Sequence, residues 1–169
     1  IGLSANQVGL PFNMFVLGDH PDVEKNLKMT CFNPMIISSS VEEETMKEGC
    51  LTFPFVFLSI TRPRKVVVKY EDENGDLKEG SLDGMISRVF QHEYDHMLGK
   101  TFVDGISKMK LDIAYKKAEK MMKKYNVILF SDYFIKKRII EEGKLYCNEI
   151  VVECYDCKGM GLSLIHISE

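Results

Sequence analysis

Apolar and polar positions alternate over short stretches in the first third of the chain, a pattern that predicts strands joined by turns. Met14-Phe15-Val16-Leu17 is a short apolar run closed by Gly18-Asp19, and His20-Pro21-Asp22 is a turn signal. Met29 to Ser38 predicts a strand, a break at Asn33-Pro34 and a second strand. Val41 to Thr45 is acidic and predicts the exposed side of the next strand. Arg64 to Glu71, followed by Asn74-Gly75, is the clearest strand and hairpin signal, and another strand is expected to end near Leu82.

The period then changes from two to between three and four. Met85, Ile86, Val89, Phe90 and Met97 recur at helical steps, with Gly99 where a C-terminal cap belongs. A second helix is predicted from Lys108 to Lys124, with Leu111, Tyr115, Ala118 and Met122 as its apolar stripe. Val127 to Leu145 predicts a short strand and a helix, and the tail from Tyr146 to Glu169 has no convincing period.

Composition adds bounds. The 169 residues are 45% hydrophobic and 28% charged, the profile of a globular domain rather than a disordered, collagen-like or coiled-coil chain. The net charge of −3 points to no DNA or other nucleic acid. No apolar run approaches the ~18 residues of a membrane span, and no signal peptide is recognisable, so a cytoplasmic location is expected. Five cysteines (31, 50, 147, 154 and 157), odd in number and unevenly spaced, make a poor disulfide framework, so reduced thiols are expected.

The first helix carries the chemistry. It contains His92-Glu93-Tyr94-Asp95-His96. Four residues turn a helix by about 400°, so both imidazoles project from one side, a turn apart, and can reach one cation. Glu93 is rotated by about 100° and borders that cation, where a carboxylate can take a proton from an activated water. A metzincin protease would carry a third histidine three residues after Gly99, but Phe102 stands there. On spacing alone the third ligand stays open among Glu119, Glu141 and the thiol of Cys50.

Three segments, Gly2-Leu3-Ser4-Ala5-Asn6-Gln7, Glu48-Gly49-Cys50-Leu51-Thr52 and Gln91-His92-Glu93-Tyr94-Asp95-His96, together resemble the signature motifs of the peptide deformylase family, in the family's order. The resemblance covers residues 1–124 and implies an α+β fold, with antiparallel sheets around a central metal-binding helix. It implies a hydrolase that removes the formyl group from the N-terminal formylmethionine of nascent polypeptides. Cys50, His92 and His96 would be the metal ligands and Glu93 the general base, then acid. Gln7 and the Leu51 backbone N–H would steady the oxyanion. The divalent ion would be Fe2+, with Zn2+, Ni2+ or Co2+ as alternatives. A bacterial cytoplasm, which could be virus-infected, or an organellar matrix or stroma would be the setting.

Further expectations follow from the same resemblance. Ser4 stands where the family more often has Ala; both are small, so little effect is expected. Gly2 and Gly49 would let backbone approach the site. Val89, Phe90 and Phe53–Phe57 are candidates for a pocket receiving the methionine side chain, with core packing as the plainer role for most of them. The family's leading segment is expected to be missing before Ile1, which leaves 1–124 as a shortened catalytic domain and 125–169 as an extension of unknown role. The Lys108–Lys124 helix holds seven lysines against Asp112 and Glu119, a local balance of +5, and could dock on the ribosome. Cys154-Tyr155-Asp156-Cys157-Lys158-Gly159-Met160-Gly161 resembles one unit of a J-domain chaperone zinc module, which Cys147 and His166 could complete.

Overall fold

In the computed structural model, residues 1–18, 27–125, 144–147 and 150–153 are described. They form nine strands and two α-helices: β1 (Gly2–Ser4), β2 (Met14–Gly18), β3 (Lys28–Ser39), β4 (Glu43–Cys50), β5 (Phe53–Pro63), β6 (Lys65–Glu71), β7 (Leu77–Asp83), α1 (Gly84–Met97), α2 (Lys108–Tyr125), β8 (Lys144–Cys147) and β9 (Ile150–Glu153). A single 3-10 turn, Ala5–Val8, follows β1. No helix among the described residues is long and apolar enough to cross a membrane.

By contact the chain divides into two units, Ile1–Glu48 with Ser59–Asp104, and Gly49–Leu58 with Gly105–Glu169. In the first unit, five strands form an antiparallel sheet in the order β1-β2-β3-β6-β7. Alternation decides which residues face inward. Phe15 and Leu17 of β2, Cys31 of β3, and Val66 and Val68 of β6 form the core with Val89 and Phe90 of α1. The Phe15 and Phe90 rings meet edge to face, with centroids 5.0 Å apart. Tyr94 stacks on the other side of Phe90 at 6.5 Å. Val89 and Phe90 therefore serve the core of the sheet, the plainer of the two roles expected of them.

Two sequence expectations change in detail. The Asn33-Pro34 break is a bulge inside one long strand: Asn33 takes φ 48° and the register against β6 shifts between Phe32 and Met35. Asparagine tolerates this left-handed conformation, and a bulge uses it to bend a strand without ending it. The second difference is β5, eleven residues with no counterpart in the sequence reading. Its start carries Pro54 and a left-handed Phe55 (φ 61°), both atypical of strands, which hides the alternation of Pro54, Val56 and Leu58 inward.

Helix α1 begins after Asp83 and ends as expected, with Gly99 at φ 70° just beyond Leu98. Every residue from Ser87 to Glu93 is buried, polar ones included. Arg88 and Gln91 reach carbonyls that the flanking strands leave exposed: Arg88 Nη1 donates to Ile60 O at 2.9 Å, Arg88 Nη2 donates to Glu44 O, and Gln91 Nε2 donates to Pro63 O at 2.9 Å. The helix is thus central because its polar residues supply partners for strand backbone on one side while Val89 and Phe90 fill the sheet on the other.

In the second unit, α2 buries Ala114 and Ala118. Tyr115, expected in the stripe, is 41% exposed, and Ala114 takes the inward position beside it. Small side chains let a helix lie close with little apolar mass, which is why the stripe misleads by one position. β8 and β9 pair antiparallel in a region where no period was visible. Of the stretch Val127 to Leu145, where a strand and a helix are expected, only Lys144 and Leu145, in β8, are among the described residues; Cys154, Cys157 and His166 also lie outside them.

Candidate metal centre and active site

The site is built on α1 and on the two motif segments that precede it in sequence. His92 and His96 stand one turn apart, with ring centroids 5.0 Å apart and planes at 87°. Phe102 lies beside His92, its ring centroid 5.7 Å away. Both histidines are buried. Among the described residues, Cys50, His92 and His96 form the group that could hold a metal ion: each offers one donor atom, and these atoms lie within 4.8 Å of one another. Two imidazoles and a thiol fit a divalent transition metal by donor chemistry. Glu119, left open as a ligand on spacing, is on the exposed face of α2 and pairs with Lys123 at 3.3 Å. Glu141 lies outside the described residues.

Behind His92 sits Glu48, a residue to which the sequence reading assigned no role. Its Oε2 accepts from His92 Nδ1 at 2.9 Å. Its carboxylate also accepts from Arg62 Nε at 2.7 Å, Arg62 Nη2 at 3.1 Å and Arg88 Nη1 at 2.9 Å. Burial alone would raise its pKa, but the bonds from His92, Arg62 and Arg88 and the charge of Arg62 overcome this and hold it at about 2. An ionised carboxylate can only accept, so Nδ1 carries the proton and Nε2 is the nitrogen through which His92 would bind an ion. Arg62 Nη1 extends the network to Asp95 Oδ2 at 2.6 Å, which gives the aspartate of the His92–His96 segment its partner. One signal for Glu48 was present in the sequence: it is two residues from Cys50, and residues two apart on a strand share a face.

Glu93 is 3% exposed. Its carboxylate lies over β1, where Gly2 and Ser4 face inward on the same side of the strand. A Cβ on Gly2 would come within 2.9 Å of Glu93 Cγ and Cδ, so glycine makes room for the carboxylate. Ser4 is fully buried, and its hydroxyl donates to Glu93 Oε2 at 2.5 Å. Gln7 is buried as well, with its Oε1 accepting from Ser4 N–H at 2.9 Å. Asn6 Nδ2 donates to His96 O at 2.5 Å and ties the same segment to the end of α1. Leu51 stands in the turn between β4 and β5 with its side chain exposed.

The chain is also similar to known proteins. The family described as polypeptide deformylase matches residues 1–112. A peptide deformylase of Bartonella henselae is 35% identical over 126 residues, 75% of this chain and 72% of that protein. One from Treponema pallidum is 40% identical over 117 residues, 69% of each. The crystal structure of a peptide deformylase from Legionella pneumophila superposes with a TM-score of 0.65 at 35% identity, covering 73% of this chain and 71% of that one. The family match spans residues 1–112, well over half of the chain, and the chain belongs to the polypeptide deformylase family.

Proposed function

We propose that the chain is a metal-dependent hydrolase that removes the formyl group from the N-terminal formylmethionine of nascent polypeptides. The observation that carries this reading is the meeting of an amide and a carboxylate on one residue: Gln7 and Glu93 both bond to Ser4, beside the His92–His96 pair. Cleaving a formamide needs those two groups, a donor for the developing oxyanion and a base for the attacking water.

His92, His96 and Cys50 would hold the ion, with Fe2+ as the first choice and Zn2+, Ni2+ or Co2+ as alternatives. When bound, a divalent ion supplies a Lewis acid that brings the pKa of water toward ~7. Glu93 takes the proton from the attacking water and returns it to the leaving amine. Ser4 N–H holds the oxygen end of the Gln7 amide, and the Nε2 end is the proposed donor to the oxyanion. The Leu51 backbone N–H is the proposed second donor. Phe53, Phe55 and Phe57 of β5, half-buried or exposed, are the remaining candidates to receive the methionine side chain.

Residues 1–124 are proposed as the catalytic domain and 125–169 as an extension. The basic face of α2 is proposed as a contact with the ribosome, supported by exposed Lys108, Lys110, Lys116, Lys117, Lys120, Lys123 and Lys124. The setting would be a compartment where translation starts with formylmethionine, a bacterial cytoplasm or an organelle.

The test is deformylation of formyl-Met-Ala-Ser with metal analysis of the same preparation. Activity is expected in the parent and lost in Glu93→Ala with the metal retained. Cys50→Ala is expected to lose both metal and activity. A Glu93→Ala protein that deformylates normally removes the acid/base assignment, and an active Cys50→Ala protein removes the ligand assignment.

A further inference from the structure

Ser4 is the position at which the resemblance predicted little consequence, yet it is a junction of the site. It is fully buried at the end of β1, and its backbone N–H and its hydroxyl are engaged by candidate catalytic side chains. The backbone N–H holds Gln7 Oε1 at 2.9 Å, a bond that any residue could make. The hydroxyl holds Glu93 Oε2 at 2.5 Å, a bond that Ala cannot make. Gly2, two residues earlier on the same face, leaves the space into which the carboxylate fits. Together they fix the carboxylate from two directions: Gly2 by room and Ser4 by a directed hydrogen bond.

We propose that Ser4 is a positioning residue for Glu93: its hydroxyl sets the orientation of the carboxylate that moves the proton. This rests on the deformylase reading above. The hydroxyl also lies 3.2 Å from the Glu93 main-chain oxygen, so it has two acceptors within reach.

The experiment compares the parent, Ser4→Ala, Ser4→Thr and Glu93→Ala on formyl-Met-Ala-Ser, with thermal midpoint and bound metal measured on each. Removing an outer partner of this kind typically costs about 10- to 100-fold. Ser4→Ala is expected to lose about tenfold in kcat, with KM, bound metal and thermal midpoint close to the parent's. Ser4→Thr keeps the hydroxyl and is expected to keep most of kcat. A Ser4→Ala protein with the parent's kcat overturns the proposal. So does one whose kcat falls only in proportion to lost metal or lost stability, or a folded Ser4→Thr protein no better than Ser4→Ala. Failure here with an inactive Glu93→Ala protein rejects the role of Ser4 alone. A fully active Glu93→Ala protein removes the acid/base assignment through which Ser4 would act, and a metal-loaded parent without deformylase activity rejects the deformylase reading beneath it.

Discussion

His92 Nδ1 donates to Glu48 Oε2 across 2.9 Å, and the same carboxylate carries Arg62 and Arg88. Glu48 therefore orients a candidate ligand and neutralises two buried guanidinium groups at once. Breaking such a network by removing one partner costs about 3–5 kcal/mol, because the charges left behind stay buried. Glu48→Ala is expected to lower the thermal midpoint of the apoprotein by this mechanism. Glu48→Gln keeps the shape and is expected to weaken metal binding by about 10- to 100-fold. Chelator competition reads the second effect, and unchanged affinity in a folded Glu48→Gln protein would show that His92 is oriented by something else.

Gly2→Ala places a Cβ within 2.9 Å of Glu93 Cγ and Cδ. The Glu93 side chain must shift, and it is pinned by Ser4. A misplacement of about 1 Å at a catalytic group can cost on the order of 10²-fold in rate. The expected outcome is a large fall in kcat with bound metal retained. A Gly2→Ala enzyme with normal kcat would mean that the carboxylate tolerates displacement.

Cys31 sits among Phe15, Val66 and Val68, and burial pushes its thiol up to about 12 from an ordinary 9.0. The unfolded chain ionises first as pH rises. The contribution of Cys31 to stability is therefore complete below pH 9.0 and is lost as pH rises through the window to about 12. Urea unfolding at stepped alkaline pH should show this loss. In Cys31→Ala the slope over that window should flatten, on top of a pH-independent cost of removing a buried sulfur. Native Cys31 should also resist alkylation at pH 8 while the unfolded protein reacts, since the thiolate is the reactive form.

Phe90 is fully buried between Phe15 and Tyr94. Phe90→Ala is expected to destabilise the folded state by about 3–5 kcal/mol, the usual cost of an aromatic cavity. Urea denaturation measures it directly. A loss under about 1 kcal/mol would mean that the helix and sheet collapse around the gap.

The proposed contact of α2 with the ribosome has a charge test. Reversing Lys116, Lys117, Lys120 and Lys124 together should abolish co-sedimentation, and the parent's association should weaken steeply with salt. Co-sedimentation that survives both changes would remove this face from consideration.

Much of this was readable in the chain by itself, wherever the signal is local. The period of α1, its glycine cap at Gly99, the hairpin at Asn74-Gly75 and the same-side placement of His92 and His96 all depend on residues within a few positions of one another. The three motifs, taken in order, also led to the family and its α+β fold. The first differences arise where backbone departs from the average. Asn33 and Phe55 adopt left-handed conformations inside strands, so β3 reads as two strands and β5 as none.

The roles of Ser4, Glu48, Arg62 and Asp95 were decided only by the tertiary structure. Ser4 and Glu93 are 89 positions apart, and Glu48 and His92 are 44 apart. The spacing of Glu48 to Cys50 hints at a shared face, but neither a serine nor a glutamate in a strand names a partner so distant in sequence. Burial makes the difference: once folding excludes water from these groups, each charge and hydroxyl must find a partner within the protein. Sequence by itself determined which side chains could perform the chemistry. Folding decided which neighbours hold them in place, because a hydrogen bond acts over about 3 Å of space regardless of how much chain separates its ends.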